Sequence, residues 1–83
     1  MGWRLLTFWD DTQVRVKGLD EIMAELHDAG RPDNEKTAEE IIQRLEDKNN
    51  YIPASDRARR EYAYVLLKEY RRHVRDQIQE NKK

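Results

Sequence analysis

The chain has 83 residues, enough for one small domain with a limited hydrophobic core. Charged residues make up 40% of the chain and hydrophobic residues 37%, but the net charge is only −1 and the apolar residues recur periodically, so we predict a folded domain rather than a disordered segment. The absence of cysteine excludes disulfides, thiolate catalysis and cysteine-ligated metals, and it is consistent with a location in the reducing cytoplasm.

The N-terminal segment is predicted to form a β-hairpin over about residues 3–17. Residues 3–9, WRLLTFW, are rich in large apolar side chains, and residues 13–17, QVRVK, alternate polar with β-branched side chains. Asp10 and Asp11 lie between the two segments, where aspartate favours a turn.

Alternation along the strands divides the apolar side chains of the hairpin between two faces. Because a two-stranded hairpin is only marginally stable alone, one face must pack on the helices. The other face either wraps an edge of the small core or is an exposed binding patch or dimer contact. One choice of buried face would expose Leu6 and Phe8. The opposite choice would expose Leu5 together with Trp3 and Trp9.

Two short amphipathic helices are predicted next, at residues 19–29 and 37–48. Gly30 is the expected stop of the first helix, because glycine readily adopts the left-handed conformation. Thr37 is the expected N-cap of the second helix, with Glu40 completing a capping box. The apolar faces of the two helices are predicted to be buried, and they consist of Leu19, Ile22, Met23, Leu26, Ala38, Ile41, Ile42 and Leu45.

A connector leads from the second helix to the third. Asn49 and Asn50 are expected to end the second helix, since asparagine tolerates the left-handed conformation. Tyr51 and Ile52 are expected to pack onto the helices, because two large apolar residues precede the rigid Pro53.

The longest predicted helix spans residues 55–78, with Ser55 as its N-cap, and a polar tail is expected at residues 79–83. Winding this segment at about 100° per residue places an apolar stripe in a sector of about 140°. The rest of the chain is expected to pack against this stripe, which consists of Tyr62, Ala63, Leu66, Leu67, Tyr70 and Val74. The predicted fold is therefore α+β and mainly helical, a single domain with an N-terminal hairpin followed by three helices.

The same helix carries a second sector, about 80° wide, in which one tyrosine lies among cations. We define this sector as the basic face, consisting of Arg57, Arg60, Tyr64, Lys68, Arg71 and Arg75. Intermixed charges would give more favourable i, i+4 pairs than separated ones, so the separation suggests a docking surface. The open alternatives are a solvated face, a contact for an acidic protein surface or a second copy of the chain, and a nucleic-acid contact through the five cations.

Charge is also uneven along the chain. Residues 1–50 hold 7 basic and 12 acidic side chains, whereas residues 51–83 hold 9 basic and 5 acidic ones. The opposite halves either fold onto each other or associate between copies, and the sequence does not choose between these.

The sequence contains few residues in the patterns that catalysis or metal binding requires. His27 and His73 lie on different predicted helices, so each is expected to be a surface histidine rather than a metal ligand. Ser55 is better explained as a helix cap than as a nucleophile, and the glycines do not form a phosphate-binding loop. No run of 18 apolar residues and no signal-peptide pattern is present, so no membrane contact is expected. The sequence therefore predicts no enzyme, cofactor or metal, and it favours a cytoplasmic protein-interaction or regulatory module, with a nucleic-acid-binding accessory protein as the alternative.

Overall fold

A computed structural model of the chain describes residues 2–81 and the side chains of residues 2–77. Two strands, β1 (Trp3–Thr7) and β2 (Gln13–Lys17), form an antiparallel hairpin. Three helices follow: α1 (Leu19–Asp28), α2 (Glu35–Asp47) and α3 (Asp56–Asn81). The predicted fold class, a mainly helical α+β domain with an N-terminal hairpin and three helices, is confirmed.

The hairpin closes through a three-residue loop that starts at Trp9. The Asp11 N–H donates to the Phe8 carbonyl at 3.0 Å, and the Phe8 N–H donates to the Thr12 carbonyl at 2.9 Å. Asp11 has a φ of 67°, the left-handed residue that such a loop requires. Strand β1 therefore ends at Thr7 rather than at residue 9, and Trp9 belongs to the loop.

The register of the hairpin decides which face is buried. Leu6 lies opposite Val14, so these side chains share a face, and that face packs on the helices. Leu6 and Val16 are fully buried, whereas Trp3 and Leu5 on the opposite face are 60% and 51% exposed. The alternative in which the tryptophans are exposed is therefore the one that the structure adopts.

Both short helices end in the same hydrogen-bonded motif. After α1, Gly30 has a φ of 76°, and the Arg31 N–H donates to the Leu26 carbonyl at 3.0 Å. After α2, Asn49 has a φ of 64°, and the Asn50 N–H donates to the Leu45 carbonyl at 3.1 Å. These are Schellman caps, so the predicted stops at glycine and asparagine are confirmed.

The start of α2 differs from the prediction. Asn34, not Thr37, is the N-cap, and its side-chain oxygen accepts a hydrogen bond from the Thr37 N–H at 3.1 Å. The Thr37 hydroxyl instead donates to the Pro32 carbonyl. Asparagine is a stronger N-cap than threonine, so the helix begins earlier than the capping-box pattern indicated.

Helix α3 forms the long axis of the molecule. Its 26 residues correspond to about 39 Å of helix, close to the 42 Å length of the chain's longest dimension. Ser55 caps it as predicted, since its hydroxyl accepts from the Ala58 N–H at 3.2 Å. The helix continues to Asn81, beyond the predicted end, because glutamine and glutamate are good helix formers. Of the predicted tail, residues 82 and 83 lie outside the described residues.

The apolar stripe of α3 is the centre of the core. Tyr62, Leu66 and Tyr70 are at most 1% exposed, and Val74 packs on the core but is only partly buried. Among the side chains that the structure describes, the buried hydrophobic core consists of Leu6, Val16, Leu19, Ile22, Met23, Leu26, Ala38, Ile41, Ile42, Leu45, Tyr62, Val65, Leu66, Leu67 and Tyr70.

The connector before α3 is only partly as predicted. Ile52 packs against the core and Pro53 is buried. Tyr51 is 63% exposed, so its predicted packing is wrong. Its backbone carbonyl, rather than its ring, contacts the core by accepting from the Tyr62 hydroxyl at 3.3 Å.

Candidate interaction surface

The predicted basic face lies on the exposed side of α3. All six of its side chains are exposed, and Tyr64 at its centre is 50% exposed. In the described part of the chain, Arg57, Arg60 and Lys68 form no ion pair. The charges of these three side chains are therefore exposed to solvent, where dissolved salt screens them.

The acidic first half of the chain neutralises only the edge of this basic face. Arg71 donates to the Asp33 carboxylate at 2.7 Å, and Arg59, just outside the face, donates to Glu39 at 3.0 Å. The hydrogen bond to Glu39 raises the pKa of Arg59. The two halves of the chain thus fold onto each other along one border, and the cations on either side of Tyr64 are left available.

Trp9 adds an aromatic side chain that the sequence did not place on this surface. Its indole stacks on the Tyr64 ring with centroids 6.1 Å apart and planes inclined by 26°. The Trp9 backbone N–H donates to the Glu61 carboxylate at 2.8 Å, which fixes the hairpin loop against α3. Trp9 is nevertheless 75% exposed. The exposed ring pair therefore lies within the basic face.

The outer face of the hairpin continues this aromatic surface. Trp3 and Leu5 are exposed there, and the Arg15 guanidinium lies 5.3 Å from the centre of the Trp3 ring. That distance is within the range of a cation–π contact. Large apolar side chains held beside cations form a patch of the kind that marks interaction sites.

A groove of about 800 Å³ separates β1 from α3. Leu5, Thr7 and Trp9 line its strand side, and its helix side is lined mainly by cations and by Tyr64 and Val65.

Glu69, which lines the groove, is contacted by Arg4, whose side chain reaches from β1 to the Glu69 carboxylate at 3.0 Å and also contacts Asp20. Burial lowers the pKa of Arg4, but Asp20 and Glu69 outweigh this effect and raise it above the ordinary value. Glu69 also contacts Arg72 at 3.8 Å. The carboxylate in the groove is thus already neutralised by two guanidinium groups.

The two histidines, predicted to be separate surface residues, are brought together by the fold. The rings of His27 and His73 meet edge to face with centroids 6.3 Å apart, and both side chains are half-buried. Across the described residues, no group of three or more histidines, cysteines or carboxylates could hold a metal ion. The histidine pair therefore provides a contact between α1 and α3.

None of the helices in the described range has the length and apolarity needed to cross a membrane. Comparison of the chain with protein-family models, with curated proteins and with solved structures gives no match. The candidate surface is therefore interpreted from its own residues: a basic face with a Trp9–Tyr64 stack, joined to the outer face of the hairpin by a groove.

Proposed function

We propose that this chain is a small non-catalytic protein-interaction or regulatory module of the cytoplasm, whose basic face docks an acidic surface of a partner protein. The observation that supports this proposal best is the Trp9–Tyr64 stack, exposed between Arg60 and Lys68. Tryptophan, tyrosine and arginine are the side chains that most often dominate binding energy at protein interfaces.

The electrostatics favour a protein partner over a nucleic acid. Acidic side chains border the basic face, with Asp33 bound to Arg71 and Glu61 bound to the Trp9 backbone. Phosphates would be repelled at this border, and the chain as a whole carries a net charge of −1. A protein surface can place its carboxylates between these acidic positions.

Nucleic acid is the second candidate, because an exposed aromatic pair flanked by cations is also typical of single-strand binding sites. In this alternative the phosphates are contacted by the cations of the basic face, Arg57, Arg60, Lys68, Arg71 and Arg75.

The test reverses the two cations one helical turn on either side of Tyr64, in the double variant Arg60→Glu with Lys68→Glu. Neither side chain makes an ion pair within the described residues, so the fold should be retained, as judged by circular dichroism. The matched control is Lys36→Glu with Lys48→Glu, which changes the net charge equally at exposed positions of α2 and its C-cap.

Capture from a lysate of the source cell, followed by mass spectrometry, should recover proteins with acidic segments on the wild type and the control but not on the face variant. This binding should be released when salt is raised from about 0.1 M to about 0.5 M, because exposed charges are then screened. Equal capture by both variants would refute the proposal. Salt-sensitive binding of a labelled single-stranded oligonucleotide, lost only in the face variant, would favour the second candidate instead.

A further inference from the structure

The free backbone edge of β1 borders the groove. The Phe8 N–H donates to the Thr12 carbonyl across the hairpin, so Phe8 and Thr12 form a hydrogen-bonded pair. Because hydrogen-bonded and non-hydrogen-bonded pairs alternate in an antiparallel hairpin, Leu6 bonds to β2. Leu5 and Thr7, on either side of Leu6, therefore turn their N–H and C=O groups away from β2.

The opposite edge of the hairpin confirms this alternation of hydrogen-bonded and non-hydrogen-bonded pairs. Lys17 pairs with Trp3, so its backbone groups also point outward. Its N–H donates to the Asn50 side-chain oxygen at 2.8 Å, and its carbonyl accepts from the Asn50 side-chain nitrogen at 3.0 Å. Asn50 thus occupies the β2 edge as a neighbouring strand would. In the described part of the chain, no such partner is present at Leu5 or Thr7.

The β1 edge and α3 run alongside each other in opposite directions. Trp9 contacts Glu61 at one end, and Arg4 contacts Glu69 at the other. These contacts delimit about 17 Å of strand and about 12 Å of helix. Five residues of an extended chain correspond to this length.

The helix side of the groove favours carboxylates. Three cations, Lys68, Arg71 and Arg72, line it beside the carboxylate of Glu69, which also contacts Arg4. Arg71 is shared with Asp33 and Arg72 with Glu69, whereas Lys68 forms no ion pair in the described part of the chain. Alternate side chains of a strand placed here would face these cations, and the others would lie beside Leu5 on the apolar outer face.

We propose that the groove binds an extended acidic segment of the partner protein, which adds to β1 as a third strand. Main-chain hydrogen bonds to Leu5 and Thr7 supply the register, and the cations of α3 select carboxylate side chains over basic ones. This inference rests on the proposed function, since it specifies how the acidic partner is held.

The probe is a fluorescent nine-residue peptide that alternates glutamate and valine, titrated with the full chain and followed by anisotropy. The variant is Thr7→Pro, which removes one outward N–H without touching the ladder. Its matched control is Gln13→Pro, which makes the same change at the paired position on the opposite edge. Thr7→Pro should weaken peptide binding by about tenfold, from one lost hydrogen bond and the added ring, and Gln13→Pro should leave binding unchanged.

A second comparison keeps the wild-type chain and changes the peptide. Methylation of alternate backbone nitrogens of the peptide should abolish binding, because it removes the main-chain donors that strand addition needs. Replacing glutamate by lysine should weaken binding as well. This comparison tests strand addition even if circular dichroism shows that Thr7→Pro fails to fold.

The inference would be overturned by no binding of the acidic peptide, by equal binding by both proline variants, or by full binding of the methylated peptide. If the variant Arg60→Glu with Lys68→Glu still loses its captured proteins in these cases, the proposed function stands and only strand addition is refuted. A doubling of mass in solution that Thr7→Pro reverses would assign the edge to a second copy of the chain and would also overturn the inference.

Discussion

Asn50 joins the hairpin to the helices, and its removal tests how firmly the hairpin is held. Its side chain makes three hydrogen bonds, two with the backbone of Lys17 at 2.8 and 3.0 Å and one with the Leu45 carbonyl at 3.1 Å. The substitution Asn50→Ala removes all three. A hydrogen bond contributes about 0.5–1.5 kcal/mol net, and water can replace part of it at this half-exposed site. We therefore expect a loss of about 1.5–3 kcal/mol in the free energy of unfolding.

The measurement is urea denaturation combined with amide hydrogen exchange. The Lys17 amide should exchange faster in Asn50→Ala, since it loses its acceptor. Asn50→Asp keeps that acceptor but places a carboxylate against two carbonyl oxygens, so it should be at least as destabilising as alanine. The control is Asn49→Gly, which fits the φ of 64° and should not reduce stability by more than about 0.5 kcal/mol.

The reasoning would be refuted if Asn50→Ala unfolded within about 0.5 kcal/mol of the wild type with Lys17 still protected. The hairpin would then be held by the packing of Leu6 and Val16, both of which are fully buried, and by the contacts of Trp9 with Glu61 and of Arg4 with Glu69, without a measurable contribution from Asn50.

Two further predictions concern the core. Leu66→Ala should cost about 2–5 kcal/mol, because Leu66 is fully buried in the centre of α3, and an unchanged urea midpoint would contradict the central position of this helix. Burial raises the pKa of Tyr62 from 10.0 to about 12. The unfolded state loses this proton first, so stability should be complete below pH 10 and fall by up to about 2–3 kcal/mol as pH rises to 12. Tyr62→Phe should reduce that fall, and an identical pH profile for this variant would exclude Tyr62 as its source.

The helices were predictable because helical periodicity and burial are directly linked. Tyr62 and Leu66 recur on one side of a segment that has a single period, so burying that side fixes α3. Local cap choices were less predictable. Thr37 fitted a capping box, but Asn34, three residues earlier, accepts from the Thr37 N–H and forms the cap. Tyr51 looked apolar, yet only its backbone was needed to satisfy the Tyr62 hydroxyl.

The candidate surface was predictable where it depends on one helix and not where it depends on tertiary structure. The residues of the basic face belong to one helix, and helical geometry alone places them together. Trp9 reaches this face through tertiary structure. Its position depends on the loop length that pairs Leu6 with Val14, and turn composition alone did not fix that length. Arg4 then stabilises the chosen face, since it reaches Asp20 and Glu69 from the buried side of the hairpin.

Three exposed aromatic side chains, Trp3, Trp9 and Tyr64, are held in place although the core is complete without them. The indole of Trp9 is fixed by the Tyr64 ring and by the hydrogen bond of its own backbone to Glu61, and Trp3 lies under Arg15. Binding usually requires free side chains to be ordered, at a cost of about 0.5–1.5 kcal/mol for each. Aromatic rings that are already oriented avoid most of this cost. Exposure alone would indicate only a tolerated defect in packing, whereas exposure combined with fixed orientation and surrounding cations favours a surface prepared for a partner.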